Sequence, residues 1–155
     1  CKEHGADEIL LYPSGNMDRD QQKKLSDDIK ALTGGEGADV VYDPVGGDYA
    51  EPALRATAWE GRYLVVGFAA GDIPKIPLNL ALLKGCQIVG VFWGAFKGRE
   101  VEAHNANVDE LLKLYGDGHL KPHISSIYSL EEGSKAISDL AERKARGKVI
   151  VQVRE

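Results

Sequence analysis

Apolar and polar positions along this chain fall into short blocks, and each block carries the period of one type of secondary structure. Glu8-Ile9-Leu10-Leu11-Tyr12 is an apolar run stopped by Pro13-Ser14-Gly15, which predicts a strand. Across Arg19–Leu32, Leu25, Ile29 and Leu32 recur at i, i+4 and i+7 among charged residues, which predicts a helix closed by Gly34-Gly35. Ala38–Asp43 is β-branched and reads as a strand ending in Pro44-Val45-Gly46-Gly47. Asp48, with Glu51 three residues on, predicts a capped helix whose buried Leu54 and Ala58 carry it to about Trp59. Arg62–Val66, enclosed by Gly61 and Gly67, is nearly continuous apolar sequence, the pattern of a strand covered on both faces. A loop with Gly71, Pro74 and Pro77 leads to a short helix around Leu78–Leu83. Gln87–Phe92 then predicts another buried strand, ending at Trp93-Gly94.

The remainder changes character. A helix from about Glu100 to Tyr115 places Val101, Val108, Leu111, Leu112 and Tyr115 on one side. Pro122–Tyr128 reads as extended, and Ser129-Leu130-Glu131-Glu132 as a capping box opening a further helix. A basic stretch, Arg143-Lys144-Ala145-Arg146, precedes a last strand over Lys148–Val153. Strands alternating with helices predict an α/β fold with a parallel sheet and right-handed crossovers.

Composition narrows the classes. The 155 residues suffice for one domain with a real core and fall short of two full ones. A net charge of -5 argues against non-specific binding to nucleic acid or an anionic membrane, because nothing concentrates positive potential. No apolar run is long enough for a transmembrane helix. Two cysteines, Cys1 and Cys86, make neither a disulfide framework nor a metal-ligand pattern, so a reducing, cytoplasmic compartment is expected. Cys1–Gly5 reads as a last helical turn with glycine at its left-handed cap. Nucleation costs more than one turn returns, so that pattern is the one expected of a chain cut from a longer protein.

A doubly wound sheet binds its ligand beyond the carboxyl ends of its strands. Those ends are Tyr12, Asp43–Gly47, Gly67–Gly71 and Phe92–Gly94. Any one of these glycines is explained by a tight turn, but their recurrence at one edge of the sheet favours a flat or phosphorylated ligand. The G-x-G-x-x-G phosphate loop is absent: Gly35-Glu36-Gly37 precedes a strand instead of following one. The basic run at Arg143 reads either as a solvated helix end or as a clamp for a 2′-phosphate. His119 and His123 are four apart, but Pro122 breaks any helix that would align them for a metal. No G-x-S-x-G elbow accompanies Asp43, His4 or His104, so no hydrolase triad is expected.

Three ordered blocks carry a family resemblance: Gly5-Ala6-Asp7 to Tyr12, Thr33-Gly34-Gly35 with Gly37–Gly47, and Gly61–Phe68. The tail adds Gly118–Pro122, Tyr128–Glu132, Ala136 and Gly147–Val151 in the same order. Together they resemble the medium-chain dehydrogenase/reductase superfamily, and within it the zinc-free NADPH:quinone oxidoreductases of the zeta-crystallin type. The resemblance implies a Rossmann sheet of order 3-2-1-4-5-6 whose chain returns to an N-terminal catalytic domain. On that scheme residues 1–97 are the later part of the cofactor domain and residues 98–155 the return segment. The first two strands, the glycine-rich phosphate loop and the whole substrate-proximal domain are then expected before Cys1.

It further implies hydride transfer from NADPH to a quinone or other conjugated carbonyl, with no zinc and no catalytic acid, base or metal ligand in this chain. An enoyl-thioester reductase and a binding or oligomerisation module without turnover are the alternatives. Tyr12 matches the tyrosine near the adenosine 2′-phosphate, and Arg143 the arginine that reaches the same phosphate. Val45 and Gly46 match the turn beside the adenosine half, Gly67 and Phe68 the turn beside the nicotinamide, and Phe92, Trp93 and Gly94 the last wall of that pocket. Phe68-Ala69-Ala70 departs from the small polar residues common in relatives. The resemblance also implies a homodimer through Gln87–Phe92, whose apolar edge carries no guarding Lys or Pro. With two central strands missing, Glu8–Tyr12 is expected to lose its partners, to stand apart from Ala38–Asp43, and the segment by itself to bind dinucleotide negligibly.

Overall fold

The computed structural model describes residues 1–13 and 15–154. They form two compact units, Cys1–Trp93 and Gly94–Glu155, each with its own parallel sheet.

In the first unit, a short 3₁₀ turn at Lys2–His4 ends at Gly5, which adopts the left-handed conformation and donates its N–H to the Lys2 carbonyl. Glu8–Tyr12, predicted as a strand, forms none; it pairs with no strand among the described residues, and Leu11 stands 94% exposed. Its apolar pattern is that of a strand, but a strand exists only where a neighbour accepts its ladder bonds. Helix α1 (Arg19–Leu32) has the predicted bounds. Asp18 opens it with a reciprocal box: its carboxylate accepts the Gln21 N–H at 2.8 Å, while its own N–H donates to the Gln21 amide oxygen at 2.9 Å.

Strand β1 (Ala38–Asp43), helix α2 (Ala50–Arg55), strand β2 (Thr57–Val65), helix α3 (Asn79–Lys84) and strand β3 (Gln87–Gly90) complete the unit. The three strands run parallel in the order β1-β2-β3. Two expectations are corrected here. Asp48 does not cap α2; it lies in a 3₁₀ turn, Gly47–Tyr49, and its carboxylate accepts the Met17 N–H at 2.9 Å. The helix also stops before Trp59, because the Ala56 carbonyl accepts the Ala38 N–H at 2.9 Å and Thr57 enters the ladder opposite Ala38. Sheet pairing overrides the i, i+4 spacing of Leu54 and Ala58. Trp59 and Glu60 then form an irregularity in β2, with Glu60 in the left-handed region at φ 59, before Arg62–Val65 rejoin both neighbours.

The core lies on one face of this sheet. Ala50, Leu54, Tyr63 and Leu80 are its buried centre, flanked by Val41, Val65, Ile76 and Cys86. Register places Tyr42, Leu64 and Val89 side by side on the other face, where Tyr42 is 65% exposed. Burial on both faces, expected for Arg62–Val66, is therefore confined to the core side at Tyr63. All four residues of β3 are exposed as well, against the buried pattern expected of Gln87–Phe92, because β3 is the last strand of the sheet.

The second unit holds most of helix α4 (Trp93–Arg99), helix α5 (Val101–Gly116), strand β4 (Ile124–Ser129), helix α6 (Gly133–Ala141) and strand β5 (Lys148–Gln152). β4 and β5 pair in parallel, with α6 in the connection. The predicted box at Ser129 does not cap α6, which begins four residues later. Instead the Ser129 N–H reaches the Glu132 carboxylate at 3.5 Å, and the Ser129 side chain hydrogen-bonds Glu131, helping to hold that carboxyl below its usual range after Glu131's own backbone N–H. The apolar side of α5 has the predicted pattern, yet no α5 residue is buried. Among the described residues, Ala136 is the one buried hydrophobic of this unit.

Candidate functional site

Parallel pairing brings the carboxyl ends of the strands to one edge, and Asp43, the last residue of β1, organises it. Pro44 removes a backbone donor, so the turn that follows is held from the side chain. One carboxylate oxygen of Asp43 accepts the N–H of Val45 at 2.8 Å and of Gly46 at 2.9 Å. The other accepts the phenol of Tyr63 from the neighbouring strand. The Asp43 main-chain carbonyl accepts the N–H groups of Val66 (3.0 Å) and Gly67 (3.3 Å). Ala69 donates to the Pro44 carbonyl and Ala70 to that of Val45, at 3.1 and 2.9 Å. The turns after β1 and β2 are thus a single hydrogen-bonded body.

Close packing favours glycine inside it. Gly46 has φ 68, and a Cβ there would lie 2.8 Å from the Phe68 ring; a Cβ on Gly67 would lie 3.2 Å from the Pro44 carbonyl oxygen. Close approach of the two turns accounts for both residues before any ligand is considered. Tyr63 is 4% exposed, and burial first, then its acceptor Asp43, pushes its phenol far above the ordinary range.

Val45, Gly46, Gly67 and Phe68 are brought together in this double turn. Tyr12 joins the same unit by packing on Tyr49, with ring centroids 5.0 Å apart at 47°. The Tyr49 hydroxyl lies 3.3 Å from the Pro13 carbonyl and 3.2 Å from that of Gly15, so it secures the Tyr12 segment without ladder bonds. Phe92 and Trp93 follow β3 and are 78% and 58% exposed. Gly94 and Arg143 belong to the second unit. Arg143 comes two residues after α6, exposed, at φ 57, with its N–H on the Leu140 carbonyl. Sequence reasoning overlooked Asp43 and Tyr63 as site builders; Asp-Pro-x-Gly closing a strand was the available signal for the first.

A cavity of about 820 Å³ in the first unit lies among α1, α2 and α3 and does not touch the double turn. A smaller one of about 450 Å³ borders it at Gly47 and Asp72. Among the described residues, no three His, Cys, Asp or Glu side chains are placed to share a metal ion, and no helix is long and apolar enough to cross a membrane.

A family model described as zinc-binding dehydrogenase matches residues 4–151. This chain belongs to that family. It is 37% identical over 150 residues to the quinone oxidoreductase-like protein 2 of Bos taurus, covering 97% of this chain and 41% of the relative. Among solved structures, a mycobacterial quinone oxidoreductase superimposes with a TM-score of 0.80 at 25% identity, covering 98% of this chain and 44% of that one. A mycobacterial protein complexed with NADPH does so with a TM-score of 0.82 at 25% identity, covering 98% and 45%. The chain thus spans about two-fifths of the length of the curated relatives it matches. As a member of the zinc-binding dehydrogenases, it has the α/β parallel-sheet fold of the quinone oxidoreductases. The family's description refers to zinc, but the described residues offer no group of His, Cys, Asp and Glu side chains that fits such a centre.

Proposed function

We propose that this chain is the cofactor-side part of an NADPH-dependent oxidoreductase that passes hydride to a quinone or another conjugated carbonyl. The supporting observation is the double turn built on Asp43, at the carboxyl ends of parallel strands, in a chain aligned across 97% of its length with a quinone oxidoreductase-like relative. NADPH, when bound, supplies the hydride. The chain's residues bind and orient it. Val45 and Gly46 would lie beside the adenosine half, Gly67 and Phe68 beside the nicotinamide, and Phe92, Trp93 and Gly94 would wall the acceptor pocket and exclude water. Tyr12 would contact the 2′-phosphate; Arg143 is assigned to that phosphate on the family resemblance alone. No side chain of this chain is assigned a proton-transfer role.

Turnover by the complete gene product decides among the readings. We expect NADPH oxidation with 1,4-benzoquinone, and at least tenfold lower kcat/KM with a crotonyl thioester. The reverse preference would make it an enoyl-thioester reductase, and NADPH binding without turnover a binding module. With two free cysteines and a net charge of -5, the protein is assigned to the cytoplasm, with neither nucleic acid nor membrane as partner.

We also propose a homodimer through the outer edge of β3, where Ile88 and Val89 are exposed and no strand pairs among the described residues. Light scattering of the complete gene product at micromolar concentration is expected to give twice the chain mass. A monomer there excludes the interface.

A further inference from the structure

We infer that Tyr63 and Asp43 are positioning residues of the cofactor site: from the core, Tyr63 locks the Asp43 carboxylate, which in turn sets the Val45–Gly46 and Gly67–Phe68 turns. This rests on the NADPH reading above and names the groups that make that site accurate.

Asp43 itself is in no position to act on a substrate, since each of its carboxylate oxygens already serves the protein. One holds two backbone N–H groups, at 2.8 and 2.9 Å, and the other holds the Tyr63 hydroxyl. Its main-chain carbonyl holds Val66 and Gly67 in the second turn. A single residue therefore references both turns to the end of β1. Tyr63 supplies the rigid end of this chain of contacts. Its ring sits in the cluster with Ala50, Leu54 and Leu80, and in the ladder it lies opposite Val41 on one side and Ile88 on the other. The hydroxyl is fixed by that packing, so it stops the carboxylate from turning about its own torsions. Without it, one Asp43 oxygen loses its donor and the plane that accepts Val45 and Gly46 is free to tilt. Turn residues displaced by a few tenths of an ångström still fold, but they meet a flat ligand less well.

The test is Tyr63→Phe in the complete gene product, which keeps the ring in the core and removes only the hydroxyl. We expect the NADPH dissociation constant, read by equilibrium fluorescence titration, and the KM for NADPH to rise about tenfold. The KM for the quinone should stay within twofold. A merely structural hydroxyl would lower the active fraction, and so kcat, and leave the dissociation constant alone. Asp43→Asn is the conservative control. Its amide oxygen still accepts from Val45 and Gly46, and its NH₂ group can donate to the Tyr63 oxygen, so NADPH affinity should remain within about threefold of the parent. Asp43→Ala should lose at least as much affinity as Tyr63→Phe. Unchanged NADPH affinity in Tyr63→Phe, or a fall in kcat alone, overturns the inference while leaving the cofactor reading in place. A parent protein that binds no NADPH overturns both.

Discussion

Replacing Gly37 by Ala is expected to lower unfolding stability by about 3–5 kcal/mol, whereas Gly34→Ala should cost only about 1 kcal/mol. Both glycines sit in the loop between α1 and β1, and both have positive φ, 97° at Gly37 and 67° at Gly34. Their surroundings differ. A Cβ on Gly34 meets nothing within 4 Å, while one on Gly37 would lie 2.4 Å from the Ala56 carbonyl oxygen and 3.0 Å from the Ala58 nitrogen. Those are backbone atoms at the point where α2 gives way to β2, and the same Ala56 oxygen accepts the first ladder bond from Ala38. They cannot withdraw without breaking the β1-β2 pairing. A domain of net stability about 5–15 kcal/mol survives such a loss only narrowly. Urea midpoints of the two variants of the complete gene product, at unchanged m-value, measure the difference. Equal midpoints would mean that the close approach at Gly37 is not what holds the start of the sheet.

Arg143→Ala is expected to weaken NADPH binding about 10- to 150-fold, the loss of roughly 1.5–3 kcal/mol for one charge-assisted phosphate contact. Binding of NADH, which lacks that phosphate, should not change, and the parent protein should prefer NADPH in kcat/KM. The left-handed backbone at Arg143 calls for a second variant. Arg143→Gly removes the same charge while adopting φ 57 without strain, so it should match Arg143→Ala in cofactor affinity and exceed it in stability by about 1 kcal/mol. Titration with both dinucleotides reads the first effect and thermal unfolding the second. If NADPH affinity survives in both variants, Arg143 is no phosphate ligand and serves only to end α6.

Local chemistry was enough to locate α1, whose apolar spacing and capping groups lie within one helix, and β1 and β5, whose β-branched runs are bounded by turn residues. The position of the double turn was also legible, because Gly46-Gly47 and Gly67 directly follow apolar strands. Tertiary structure decided the rest. Glu8–Tyr12 and Gln87–Gly90 have strand sequences, yet one pairs with no strand among the described residues and the other is left exposed, since pairing and burial belong to partners and not to the segment. Leu54–Trp59 reads as one helical face until Ala38 claims the Ala56 carbonyl. The bond from Tyr63 to Asp43 spans 20 residues of sequence and exists because the parallel register sets Tyr63 beside Val41 and Val65 beside Asp43. Spacing along a chain encodes contacts within a turn or a helix; contacts made across a ladder depend on a register that only the assembled sheet defines.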